Sequence, residues 1–162
     1  MNYFINQRFF NIWRNSFFIR NESGENSYEV KSNFSLLRRL TIYDMDGSPQ
    51  ITIKKRYFRV LPRYDVYSSN KDFIFSVKSK FSILTKKCKI KSKDDNLNNI
   101  IIEGNILAWN FKIKQGDDVL VEISKKILKI ADSYCISIND ESNSLSYLAM
   151  IIILDLLFHK KR

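Results

Sequence analysis

The chain is predicted to be mainly β: a twelve-stranded antiparallel barrel of six hairpin repeats, enclosing a C-terminal hydrophobic helix. Three observations lead there. Isoleucine occurs 22 times and alanine 3 times in 162 residues, a bias toward β-branched side chains that suit a pleated surface and away from the best helix former. A short motif recurs along the chain, centred on residues 10, 34, 58, 81, 106 and 127, at spacings of 24, 24, 23, 25 and 21. The last stretch of the chain is apolar on every face, unlike anything before it.

Each repeat supplies two strands. The first carries the motif, a basic or polar residue followed by an aromatic or aliphatic pair: Arg8-Phe9-Phe10, Asn33-Phe34, Tyr57-Phe58, Lys80-Phe81, Asn105-Ile106 and Lys126-Ile127. The second is an apolar run a few residues later: Phe17–Ile19, Leu40–Tyr43, Tyr64–Tyr67, Cys88–Ile90, Phe111–Ile113 and Tyr134–Ile138. Turn formers separate the copies, among them Asn21–Gly24, Asp46-Gly47, Ser69–Asp72, Asp94–Asn96, Gly116–Asp118 and Asn139-Asp140. Alternation with period 2 places Tyr28, Val30, Ser32, Phe34 and Leu36 on one face, and Phe73, Phe75, Val77, Phe81 and Ile83 on another. Closing such a meander removes its exposed edges, so a barrel is expected.

The final element is a helix over residues 144–159, with Asn143 or Ser144 as N-cap and Lys160, Lys161 and Arg162 suiting its C-terminus. Leu145 to Phe158 spans roughly 21 Å at about 1.5 Å per residue, less than a hydrocarbon core of about 30 Å. A helix apolar on all faces needs protein or lipid around it, and the barrel provides the protein. No transmembrane span is expected; a membrane tail anchor is the alternative. The length suits one domain, 1–162, and 44% apolar with 27% charged residues is a globular composition.

Ordered as they are, Ser27–Leu36 (SYEVKSNFSL), Leu40–Gly47 (LTIYDMDG), Phe58–Tyr67 (FRVLPRYDVY), Val77–Ser82 (VKSKFS) and Ala149–Asp155 (AMIIILD) resemble the LURP-one-related family. That family lies within the tubby C-terminal-like fold, which also includes phospholipid scramblases. The resemblance covers nearly the whole chain. It implies a twelve-stranded barrel around a buried helix and an affinity for membrane phospholipid headgroups, and it carries no catalytic activity with it. The family's usual Gly-Asp after the strand motif is missing. Trp13-Arg14, Leu37-Arg38 and Leu84-Thr85 stand near those positions, so the hairpin turns are expected to differ.

Charge is concentrated in the middle hairpins. Residues 31–93 hold 16 Lys+Arg and 4 acids, a balance of +12; the rest of the chain balances to −2, for a net charge of +10. In the fourth repeat, inward Phe75, Val77 and Phe81 leave Lys78 and Lys80 facing out. On the returning strand Lys87, Lys89, Lys91 and Lys93 share the face opposite Cys88 and Ile90. These six lysines are the candidate anion- or lipid-binding residues. Arg38, Arg39, Lys54, Lys55, Arg56, Arg59 and Arg63 extend the patch if their faces agree, and a phase change between Ile53 and Phe58 suggests a bulge. The competing reading is a solvated lysine-rich edge that resists aggregation.

Other chemistry is excluded or demoted. Four scattered glycines form no phosphate loop or dinucleotide fingerprint. His159, Cys88 and Cys135 are too far apart in sequence for a closed zinc site, and both cysteines read as small inward core residues. His159 lacks an acid partner. Asp44-Met45-Asp46-Gly47 reads as a hairpin turn and not a calcium loop. Asp155, inside the apolar helix, needs a partner. No catalytic residues, metal or cofactor are expected, and the chain is not expected to be an enzyme. Two cysteines and no apolar leader point to a reducing cytoplasm, with peripheral membrane contact. Anionic membrane lipid is the expected partner. A scramblase-like lipid-handling protein is the alternative, and nucleic acid, which the sequence pI of about 9.6 permits, is the less favoured one for want of a recognisable motif.

Overall fold

The computed structural model describes residues 1–6, 16–33, 39–57, 60–80, 87–92, 97–105, 108, 110–127 and 132–158. Twelve strands run in chain order: β1 (Asn2–Asn6), β2 (Phe17–Arg20), β3 (Asn26–Asn33), β4 (Arg39–Tyr43), β5 (Pro49–Arg56), β6 (Arg63–Ser68), β7 (Phe73–Lys80), β8 (Lys87–Ser92), β9 (Ile100–Asn105), β10 (Asn110–Gln115), β11 (Asp118–Ile127) and β12 (Asp132–Ile138). Every ladder is antiparallel, and the sheet order is β8-β7-β6-β5-β4-β3-β2-β1-β12-β11-β10-β9. The twelve strands are the two per repeat that the pattern predicts. The described motif residues Asn33, Lys80, Asn105 and Lys126-Ile127 stand at the C-terminal ends of odd strands, and most of the others lie outside the described residues, as do Trp13-Arg14, Leu37-Arg38 and Leu84-Thr85. In the third copy Val60 is 98% exposed and does not continue the core.

The barrel is nearly closed. β1 pairs with β12 from Asn2↔Ser137 to Asn6↔Ser133, joining the two ends of the meander. Among the described residues no ladder joins β8 to β9. At this seam Ser92 N donates to Asn98 Oδ1 (3.3 Å) and Gln115 Nε2 donates to Asn98 O (2.9 Å). Leu97, in the same connection, is fully buried and carries the core to the seam.

Alternate strand residues fill the interior: Ile19, Val30, Ile42, Ile53, Val66, Phe75, Val77, Ile113, Val121, Ile123 and Ile136 are all at most 1% exposed. Helix α1 (Ser144–Phe158) completes the core. Ser146 through Leu156 are buried without a break, three turns covered on every side, so protein surrounds the helix. This also explains why a segment of mean hydropathy 1.4 over Glu141–Phe158 is tolerated. Asp155 is 4% exposed within it. His159 lies outside the described residues, as do the three basic residues after it.

Ahead of Asn143 and Ser144, the expected caps of α1, stands Asp140. It caps a short 3-10 turn, Glu141–Asn143, that runs into α1. Asp140 accepts from Ser142 N at 3.2 Å, from the Ser142 hydroxyl, from Asn143 Nδ2 at 3.0 Å and from the buried Tyr147 hydroxyl at 2.9 Å. The Ser142 and Asn143 bonds hold its carboxyl below the ordinary range. A depressed carboxyl stabilises the fold above its ordinary pKa of about 4, and this contribution fades as pH falls through the folded value. The melting temperature of Asp140→Ala is therefore expected below wild type at pH 6, by the equivalent of about 0.5–2 kcal/mol. The gap should begin to narrow below about pH 4 and shrink further as pH falls.

Two sequence-based assignments are corrected. Cys135 is buried, yet it alternates with Tyr134, Ile136 and Ile138, which belong to the interior cluster, so it lies on the opposite face. β5 pairs with β6 in unbroken register from Ile51↔Ser68 to Arg56↔Arg63, so no bulge lies between Ile53 and Arg56; the register shift on β5 is against β4, between Ile42↔Ile51 and Tyr43↔Pro49. β5 ends at Arg56, and Phe58 lies outside the described residues. Asp44 behaves as a turn residue: its Oδ1 accepts from Asp46 N (3.1 Å) and Ser48 N (2.7 Å), and Gly47 takes φ +82°.

Candidate anion-binding face

Register assembles the basic residues into rows. Leu40, Ile42, Ile51, Ile53, Tyr64, Val66, Phe75, Val77 and Ile90 are buried, so the residues alternating with them face out. One outward row runs Arg39↔Lys54↔Asp65↔Ser76↔Lys91 across β4 to β8. The next runs Arg56↔Arg63↔Lys78↔Lys89 across β5 to β8. Rows on one face are about 6.6–6.8 Å apart, and neighbouring strands about 4.7–4.9 Å.

Of the six lysines singled out, Lys78 and Lys91 are exposed on this face, as expected. Lys80 pairs with Lys87, and Lys89 with Lys78, at the backbone level. The side chains of Lys80, Lys87 and Lys89, and all of Lys93, lie outside the described residues. Arg39 and Arg56 are exposed, and Lys54 and Arg63 half-buried, so these four join the patch. Lys55 does not: it pairs with buried Tyr64, and its ammonium lies 5.6 Å from the Tyr57 ring. Arg38 and Arg59 lie outside the described residues.

Pattern reading missed one residue. Asp65 belongs to an outward row, yet its side chain is 1% exposed, because two arginines cover it. Arg56 Nε donates to Asp65 Oδ2 at 2.5 Å, and Arg63 Nε donates to Oδ1 at 2.7 Å. The hydrogen bond to Asp65, and then its charge, raises the pKa of the Arg56 guanidinium above its ordinary value. Arg56 Nη2 also donates to the Tyr67 hydroxyl at 3.3 Å, and Lys54 Nζ sits 4.4 Å from the centre of the Tyr67 ring. The signal was present in Arg63-Tyr64-Asp65, since residues two apart on a strand share a face.

The far side of the barrel is different. There Lys112 pairs with Glu122 at 3.4 Å and Lys114 with Glu103 at 3.2 Å, both across strands. Cations on β4–β8 face other cations, with Asp65 the one carboxylate in the two rows described above. Like charges directly opposite repel. Lys78 and Lys91 are exposed, and replacing Lys87, Lys89 and Lys91 with glutamine is expected to leave the thermal midpoint unchanged or slightly raised, with under about 0.5 kcal/mol per site. A large loss in the melt would mean that this face is inverted.

A cleft of about 510 Å³ beside β1–β3 is lined by Tyr3, Tyr28 and Glu22, with no Lys or Arg side chain among the described residues that line it. Burial, and then Tyr28, pushes the Tyr3 hydroxyl up to about 12.

Comparison with known proteins agrees with the fold. A solved X-ray structure of an Arabidopsis thaliana protein superposes with a TM-score of 0.64 at 20% identity, covering 95% of this chain and 88% of that one. The chain is 27% identical over 157 residues to the uncharacterised protein YxjI of Bacillus subtilis (strain 168), covering 96% of this chain and 93% of the relative. The sequence model described as LURP-one-related matches residues 1–155, almost the whole barrel and helix, and the chain belongs to that family.

Proposed function

We propose that this domain is a non-enzymatic binding module that docks peripherally, from the cytoplasmic side, on anionic phospholipid headgroups through the outer face of β4–β8. The observation that carries this reading is the pair of cationic rows, uncompensated except at Asp65. Each Lys or Arg near an anionic surface contributes about 1 kcal/mol, and the attraction decays within a Debye length of about 8–10 Å. Four or five such residues in one plane are enough for reversible attachment. The burial of α1 supports contact through surface charge, because its apolar side chains are already covered by protein.

Co-sedimentation with phosphatidylserine-containing vesicles, against pure phosphatidylcholine vesicles, tests the proposal. Binding to the anionic vesicles is expected at low salt and should fall steeply toward physiological salt. Equal binding to both kinds of vesicle overturns it. In fractionated cells a high-salt wash should release the protein. Release only by detergent would mean an anchor held by apolar burial, which salt does not weaken. A gel shift with single- and double-stranded nucleic acid that survives where vesicle binding does not would redirect the basic face to that partner.

A further inference from the structure

We infer that Arg56, Arg63 and Lys78 form a site for a phosphate monoester, oriented by Asp65, within the docking face. The inference rests on the docking proposal and adds which headgroup chemistry is preferred. Three features of the cluster point to it.

The first is burial. Asp65 lies on the outer surface of the sheet, yet its side chain is 1% exposed, while the arginines that cover it are 56% and 35% exposed. A carboxylate is thus sequestered beneath two cations that still reach solvent. The second is hydrogen-bond direction. Both arginines contact Asp65 through Nε, so among the described residues neither terminal Nη edge is bonded to the carboxylate. A guanidinium is a planar fork suited to two parallel bonds to an oxyanion; here each fork is held by its inner edge, and among the described residues the outer edge of Arg63 is available while Arg56 also donates from Nη2 to the Tyr67 hydroxyl. Holding the fork beforehand reduces the rotamer freedom lost on binding. The third is charge. Arg56 and Arg63 are direct cross-strand partners, and Lys78 is the partner of Arg63 on the next strand. Three cations and one carboxylate leave +2 across adjacent strands. A phosphate monoester carries about −1.5 to −2 at neutral pH. A phosphodiester carries one charge, and its two ester oxygens leave fewer acceptors for the forks. Asp65 is therefore a positioning residue, and Arg56, Arg63 and Lys78 are the binding groups.

The test compares phosphatidylcholine vesicles containing phosphatidic acid, a monoester, with vesicles containing phosphatidylserine, a diester, matched in measured surface potential. Wild type is expected to bind the monoester vesicles about tenfold more tightly, the scale of one charge-assisted hydrogen bond. Arg63→Lys keeps the charge but loses the fork. It should bring the ratio of the two affinities near one, by weakening binding to the monoester vesicles more than to the diester ones. Asp65→Asn should lower the same ratio, with the Arg63→Lys result deciding if that variant fails to fold. Inorganic phosphate should displace the protein from phosphatidic acid vesicles better than chloride of equal ionic strength. Equal wild-type affinity for the two matched vesicles, an unchanged ratio in Arg63→Lys, or displacement by phosphate no better than by chloride would overturn the monoester site and leave general docking standing. Binding to neither anionic vesicle would overturn both.

Discussion

A chain truncated before Leu145 is expected to be unfolded or insoluble. The reason lies in what the barrel would lose. Leu148, Met150, Ile151, Ile152, Ile153, Leu154 and Leu156 are each at most 6% exposed, and full burial of such side chains is worth about 1.5–3 kcal/mol each. Together they contribute roughly 10–20 kcal/mol, as much as the whole net stability of a domain, about 5–15 kcal/mol. The strands cannot collapse onto the vacated space without breaking the ladders that fix their circumference. Tyr147 would go as well, and with it the hydrogen bond that ties the helix to the turn after β12. Circular dichroism melts of the truncated chain should show no cooperative transition. A truncated protein that stays soluble and melts cooperatively would mean that the sheet has a core without the helix.

The second large effect is expected at Gly104, on β9 opposite Phe111. Its φ is +111°, and a Cβ there would lie 2.6 Å from the Asn110 carbonyl oxygen and 2.8 Å from the Phe111 Cα. Both are backbone atoms of the paired strand, so a rotamer change cannot relieve the contact. Forcing a side chain into such a backbone conformation costs about 1–3 kcal/mol before any clash is counted. Gly24 serves as the control. At φ +82° it carries a similar conformational cost, but nothing lies within 4 Å of its Cβ position. Gly104→Ala should therefore lower the melting temperature more than Gly24→Ala does. At this size each kcal/mol moves the midpoint by about 2–4 °C. Equal losses at the two sites would mean that β9 can move away from β10 at no cost.

The architecture was legible where burial and periodicity coincide. Phe75 and Val77 alternate with Ser76 and Lys78, and the structure buries the first pair and exposes Lys78. The helix was legible because no amphipathic face could be drawn through residues 145–158. Legibility failed where the outward face is also covered. Cys135 is apolar enough to pass for an interior residue, and period-2 reasoning cannot tell an inward position from an outward one roofed by its neighbours. Asp65 failed for the converse reason. A carboxylate in a strand reads as solvated, and only the Arg56↔Arg63 register reveals that two long side chains fold over it. Register between strands is a tertiary property, so the clamp could not be assembled from sequence spacing alone. Val60 shows the limit of the repeat itself: its motif matched, but β5 had already ended.

The ladder between β1 and β12 has a consequence for how the molecule is made. Met1 N donates to Ile138 O at 2.9 Å, and Ile138 N donates back to Met1 O at 2.8 Å, across 137 residues of chain. Of the twelve strands, the first in chain order is thus among the last to be satisfied. Hairpins such as β4–β5 and β10–β11 need only local closure and can form early. The circumference cannot complete until β12 exists, and the helix that fills it follows β12 in the chain. Contacts this distant in sequence slow folding to the millisecond-to-second range typical of barrels. During that interval β1 presents an open edge beside an unfilled interior, the state in which such a sheet is most prone to pair with another chain.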